Sequence, residues 1–146
     1  MSGSASASGA YDHVQLGYTI LAVLAVIAAI PLGMRSCRAI GPLYWSLLLL
    51  IAILFYALRV RVDDTAIHLR FGVGLVRRTI PLSDVTASKP IRYPPLGYGI
   101  RWGPRGTLYN VSGTHAVQLS LRNGRILLIG TDDPQGLDAA IQRKLH

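Results

Sequence analysis

Two stretches without a formal charge constrain what this 146-residue chain can fold into. The first lies between His13 and Arg35 and holds 21 residues; the second lies between Arg38 and Arg59 and holds 20. A helix needs ~20 apolar residues to cross a bilayer, so both lengths predict a crossing. The ten Leu, Ile and Phe side chains from Leu43 to Leu58 favour insertion by about 3 to 6 kcal/mol, and no charge opposes them. A soluble helix would show a polar face, and none is visible from Leu47 to Leu58.

The first run, VQLGYTILAVLAVIAAIPLGM, has Ala22, Ala25, Ala28 and Ala29 at helical spacing, which predicts a close seam against the second helix. Pro31 falls near its end. Tyr18, Tyr44, Trp45 and Tyr56 lie near the run ends, where interfacial aromatics sit. The short linker RSCRAIG makes the pair a hairpin. The expected division is a flexible tail over 1–13, a transmembrane helix over 14–34, a linker over 35–41, a second transmembrane helix over 42–60 and a domain over 61–146. The tail is rich in Ser, Ala and Gly, too apolar-poor to offset ordering entropy, and has no Lys or Arg to start a signal peptide. The single cysteine, Cys37, excludes an internal disulfide and a cysteine-based metal site. Met34-Arg35-Ser36 poorly matches the small, uncharged residues before a lipoprotein cysteine, so Cys37 is expected to be a bystander at the membrane surface, with reversible acylation the alternative.

From Arg59 onward the apolar period becomes two. In AIHLRF, Ile67, Leu69 and Phe71 face one way and His68 and Arg70 the other, a half-buried strand. GVG turns the chain into LVRRTIPL. AVQLSLRNGRILLIG reads as a hairpin about a type I′ turn at Asn123-Gly124. DVTASKPI, YGIRW and TLYNV are further strands. The final segment is a helix capped by Asp133 before Pro134, with Arg143, Lys144 and His146 at its carbonyl end and Leu137, Ala140, Ile141 and Leu145 on one face. The expected fold class is therefore an α+β membrane protein: two transmembrane helices, then a small antiparallel barrel or sandwich of about seven strands with a C-terminal capping helix.

The order of these pieces resembles bacterial PH-domain-like membrane proteins. The resemblance runs from Arg59 to His146 and rests on VDDTAIHLRFGVGLVRRTIPLSDV, LGYGIRW, LYNVSGTHAVQLSLRNGR and IGTDDPQGLDAAI. It implies a pleckstrin-homology-like fold in the bacterial inner membrane and no particular reaction. The loop GVG is shorter than the basic loop of phosphoinositide-binding PH domains, so inositide specificity does not carry over. With Arg59, Arg61, Arg70, Arg77 and Arg78 following the second run against Arg35 and Arg38 between the runs, the positive-inside bias predicts both termini in the cytoplasm.

Chemistry-bearing residues are sparse. The chain has no Glu; its Asp residues after Arg59 fall at the membrane exit, a strand start, a helix cap and a helix face, and no two His have a metal-ligand spacing. No enzyme activity, metal or cofactor is expected. Charge is the stronger signal: from Arg59 there are 13 Lys or Arg against six Asp. Arg59, Arg61, Arg70, Arg77 and Arg78 are the candidate lipid-headgroup contacts, each gaining roughly 1 kcal/mol beside an anionic leaflet; an ordinary solvated surface is the alternative. Tyr98, Arg101 and Trp102, in PPLGYGIRWGPRG, are candidate partner-docking residues, being types enriched at interface centres. Packing of Tyr98 and Trp102 on the domain's own core is the alternative. No nucleic-acid reader motif is present. The expected function is a non-catalytic accessory module in a complex with other membrane protein subunits, or alternatively a sensor of anionic membrane lipids.

Overall fold

The computed structural model describes residues 10–33, 41–93, 99–104, 106–110 and 113–146. Their order is β1 (Tyr11–Leu16), α1 (Tyr18–Gly33), α2 (Pro42–Phe55), β2 (Ala57–Val62), β3 (Ala66–Phe71), β4 (Val76–Pro81), β5 (Val85–Arg92), β6 (Gly99–Gly103), β7 (Gly106–Asn110), β8 (His115–Leu121), β9 (Ile126–Gly130) and α3 (Pro134–Leu145). The strands form a four-stranded sheet, β1-β2-β3-β4, and a five-stranded sheet, β5-β8-β9-β7-β6. The architecture is α+β, with two sheets and a C-terminal helix. All ladders are antiparallel except β7 with β9, which is parallel, against the expectation of a wholly antiparallel set.

The membrane-crossing expectation is overturned. Helix α1 has 16 residues and α2 has 14; at a helical rise they extend roughly 24 and 21 Å, short of a hydrocarbon core of ~30 Å. No helix among the described residues is long and apolar enough to cross a membrane. The two-helix transmembrane hairpin, the integral inner-membrane location and the cytoplasmic placement of both termini fall with it, since the described residues offer no crossing helix for the arginine count to orient. The uncharged runs are longer than the helices because strands occupy their ends. Val14 to Leu16 pair with Ala57 to Arg59 in the β1–β2 ladder, and the Gly17 N–H donates to the Tyr56 carbonyl at 2.7 Å. An absence of charge permits a helix or a strand, and backbone pairing decides between them.

The two helices pack along each other, though not on the expected alanine seam. On α1 the half-buried positions are Thr19, Ile20, Leu24, Ile27, Ala28 and Pro31, while Ala22, Ala25 and Ala29 are exposed. Pro31 lacks an N–H, which frees the carbonyl of Ile27 four residues earlier. The Tyr44 hydroxyl of α2 donates to that carbonyl at 2.7 Å. A proline that would weaken an isolated helix thus creates the acceptor that ties the pair together. The remaining faces of both helices expose large apolar side chains, including Val26, Ile30, Leu43 and Leu49.

The core lies between the sheets. Leu58, Val60 and Val62 of β2, Ile67, Leu69 and Phe71 of β3 and Ile80 of β4 face Tyr109, Val117, Leu119, Leu127 and Ile129, and Leu137 and Ile141 of α3 complete the cluster. Strand alternation produces this, since each of β2 and β3 places every second residue inward. Phe55, the last residue of α2, meets Phe71 edge-on with ring centroids 5.6 Å apart, joining the helical pair to the core.

Strand β1 meets the start of α3. The Asp133 carboxylate caps α3 through the Gly136 N–H at 3.0 Å and also accepts from the Tyr11 hydroxyl at 3.2 Å. His13 reaches Asp132 at 2.5 Å, so β1 is tied to the mouth of α3. Burial, reinforced by Asp133, raises the Tyr11 phenol above its ordinary range. The seven strands expected downstream of Arg59 are present as β3 to β9, and β1 and β2 are the additions. One turn differs from its sequence reading. Gly124 has φ +78° but Asn123 does not have positive φ, so the β8–β9 turn is not type I′. The Gly124 N–H donates to the Leu121 carbonyl at 2.9 Å and the Leu121 N–H to the Arg125 carbonyl at 2.9 Å, a turn closed by a glycine bulge. The expected flexible segment up to residue 9, the linker residues 34–40 with Cys37, and Tyr98 lie outside the described residues.

Candidate functional site

The outward face of the four-stranded sheet is where the arginines converge. Strands β2, β3 and β4 turn Leu58, Phe71 and Val76 toward the core, so the next residue of each ladder points out. The register places Arg59 opposite Arg70 and Arg70 opposite Arg77, a straight row across three strands. The adjacent row, two residues along, reads Asp12, Arg61, His68, Thr79. Arg59, Arg61, Asp63, His68, Arg70, Arg77 and Thr79, with Leu69 at its floor, line a shallow groove of about 410 Å³. Four of the five arginines predicted as headgroup contacts therefore share one surface. The fifth, Arg78, does not: it pairs with Leu69, has core-side parity and opens instead toward the cleft with Asp84 and Arg125.

Like charges directly opposite on a sheet repel and cost roughly 0.2–1 kcal/mol per pair. Only part of that repulsion is relieved within the chain. Asp12 forks onto Arg59, with Nε to Oδ1 at 2.8 Å and an Nη to Oδ2 at 2.5 Å. That fork holds the Asp12 carboxyl below the usual carboxylate range. Asp63 is occupied elsewhere. Its Oδ1 accepts from the Thr65 and Ala66 N–H groups at 3.0 and 2.9 Å, and its Oδ2 meets His68 Nε2 at 2.8 Å. The backbone donors hold the Asp63 carboxyl well below its ordinary value. Arg61, Arg70 and Arg77 have no hydrogen-bond or ion-pair partner among the described residues. The groove therefore has a surplus of cationic donors.

Its border is apolar. One step beyond the arginine row, the sheet ends in the β3–β4 turn, the start of α1 and the end of α2, where Val73 is 56% exposed, Leu75 73% and Tyr18 69%, beside Leu16 and Tyr56. This rim is held rigidly. Gly72 has φ +48°, and a Cβ there would lie 2.1 Å from the Ile53 carbonyl oxygen, so the turn sits hard against the end of α2. The Arg70 guanidinium lies over Gly74 of the same turn.

His68 also meets Thr79 Oγ1 at 3.2 Å, so Asp63, His68 and Thr79 form a chain of carboxylate, imidazole and hydroxyl. That order is found in nucleophilic triads. Here it lies on an open sheet face with Thr79 exposed, and it orients groove side chains without excluding water from them. Sequence reasoning placed His68 on the polar side of its strand but missed this chain, because cross-strand neighbours are not neighbours in sequence. It also missed Asp12, assigned to a tail. No apolar alternation in YDHVQL marks that strand, since Val14 and Leu16 share the exposed face with Asp12 while Gln15 is buried; pairing with β2 alone reveals it.

The predicted docking residues fall elsewhere. Arg101 and Trp102 are both exposed on β6, the outer strand of the five-stranded sheet, and Tyr98 lies outside the described residues. Trp102 is 87% exposed, so the alternative in which it packs on the domain's own core is excluded. No protein-family model matches the chain, and no curated protein shows significant similarity to it. The resemblance to bacterial PH-domain-like membrane proteins is corrected accordingly: it has no family match behind it, and among the described residues no helix is long and apolar enough to form the membrane-spanning hairpin it included.

Proposed function

We propose that this chain is a non-catalytic module that docks on anionic lipid surfaces through the outward face of its four-stranded sheet. The observation that carries this reading is the row Arg59, Arg70, Arg77, stacked across three strands with one carboxylate fork to offset it. Such a row is unfavourable in isolation and favourable once phosphate or carboxylate oxygens lie across it. The apolar rim beside it, Val73, Leu75 and Tyr18, supplies side chains able to enter the headgroup boundary while the arginines meet the charges.

Co-sedimentation of the full chain with phosphatidylcholine vesicles, with and without phosphatidylserine, tests it. Binding should require the anionic lipid and weaken steeply with salt. Equal binding to neutral vesicles, or none to either, removes the reading.

A second reading, an accessory module in a protein assembly, is favoured by a separate observation: the exposed indole of Trp102 on an outer strand. Purification of the full chain under native conditions, with identification of any protein held in whole-number ratio, tests that reading independently of lipid.

A further inference from the structure

The inward side of the five-stranded sheet is treated differently at its two ends. One register row runs Trp102, Thr107, Leu127, Leu119, Ser88 from β6 to β5. Leu119 and Leu127 in its middle belong to the core. At the β5 end helix α3 covers it: the Ser88 hydroxyl donates to Asp138 at 2.5 Å, and Gln142 donates to the Ser88 carbonyl at 2.9 Å. At the β6 end nothing among the described residues plays the part of α3. Ile100, in the parallel row with Tyr109 and Ile129, is likewise exposed. The core-facing stripe therefore continues one strand beyond its cover.

Strand β6 also pairs only with β7 among the described residues, leaving its other edge free to pair with an added strand. An occupant that satisfies both features is an extended segment: its backbone continues the ladder, and alternate side chains cover Ile100 and Trp102. Its intervening side chains face Arg101. Arg125 lines the groove beneath Trp102, and neither arginine has an ion-pair partner among the described residues. A second copy of this chain would set Arg101 against a like surface on a protein of net charge +8, whereas carboxylates meet it favourably.

We infer that β6 is a strand-addition site for an extended acidic segment of a partner protein, alternating apolar residues over Ile100 and Trp102 with carboxylates toward Arg101. This deepens the assembly reading and is independent of lipid docking. The test uses the full chain and a short fluorescein-labelled peptide alternating valine and glutamate, followed by fluorescence anisotropy. Saturable binding is expected, weakened at least tenfold by Trp102→Ala, by Arg101→Glu, and by N-methylation of alternate peptide nitrogens, which keeps the charge and removes ladder hydrogen bonds. Trp102 is exposed, so the variants should keep the wild-type melting temperature, checked by circular dichroism. Binding that survives N-methylation or Trp102→Ala is mere charge attraction and overturns the inference, as does no binding. A concentration-dependent dimer lost in Trp102→Ala assigns the edge to a second copy and overturns it too. A natively co-purified partner that Trp102→Ala retains leaves the assembly reading standing while strand addition falls; no partner and no peptide binding removes both.

Discussion

The two sheets alternate inward and outward residues in the same way, yet they distribute positive charge differently. On the four-stranded sheet, Arg59, Arg70 and Arg77 occupy successive strands of one outward row. On the five-stranded sheet, the corresponding outward row reads Arg101, Leu108, Leu128, Gln118, Lys89, so its cations stand at the two outer strands with three uncharged residues between them. The first row adds like-charge repulsion without adding solubility, and the proposed docking on an anionic surface would offset that repulsion. The middle of the second row is also withdrawn from water, with Leu128 buried and Leu108 and Gln118 half-buried, whereas Arg59, Arg70 and Arg77 are all exposed side by side.

The largest effect should come from the turn that holds the arginine row in place. Gly72→Ala brings a Cβ to 2.1 Å from the Ile53 carbonyl oxygen at φ +48°, whereas Gly124, at φ +78°, has open space around it. Gly72→Ala should cost about 3 kcal/mol, lowering the melting temperature by roughly 10 °C, and Gly124→Ala only about 1 kcal/mol. Equal losses in thermal melts would mean that the rim is not held against α2.

Charge reversal on the row comes next. Arg70→Glu or Arg77→Glu should weaken binding to phosphatidylserine-containing vesicles about 30-fold, from roughly 1 kcal/mol for each charge lost and each gained. Arg78→Glu, adjacent in sequence but on the other face of β4, should change it no more than about threefold. Identical losses would show that net charge, not the row, drives binding.

A smaller effect attaches to Asp63. Its folded-state pKa is lowered by the Thr65 and Ala66 N–H groups. Its contribution is therefore complete above the unfolded value near about 4 and is lost as the pH falls through the lower folded value. Asp63→Asn should destabilise by about 1 kcal/mol at neutral pH, measured by urea unfolding, with the gap from wild type closing only in more acidic solution.

The smallest effect bears most directly on the comparison. Arg70→Thr should raise stability by about 0.5 kcal/mol while weakening vesicle binding about fivefold, because it removes repulsion and a ligand contact together. Arg101→Thr, with an uncharged cross-strand neighbour, should leave stability unchanged. A destabilised Arg70→Thr variant would mean that the row supports the fold, and the ligand would no longer be needed to account for it.

Much of the strand content was legible before any coordinates. The inward set Ile67, Leu69, Phe71 follows from period-two alternation, and the ends of α3 follow from Asp133, Pro134, Arg143 and Lys144, all of which act within a few residues. The helices were misjudged for an equally local reason. Val14 to Leu16 and Ala57 to Leu58 are as free of charge as the residues beside them, and only pairing with each other removes them from α1 and α2. The site was half legible: the arginines could be named, but Arg78 could not be separated from Arg77, nor Asp12 assigned to Arg59 across 47 residues.

By itself, then, the amino-acid order determined which side of each downstream strand faces the core, where the last helix starts and stops, and that the chain is rich in arginine. These depend on steric and hydrogen-bonding preferences that operate over a few residues. The tertiary structure alone decided which strands are neighbours, that β7 and β9 run parallel, that three arginines share a row, and that Trp102 stands beyond the cover of α3. Those features depend on register between distant segments, where sliding a strand by one residue exchanges its two faces, and many segments of the chain could compete for the same edge.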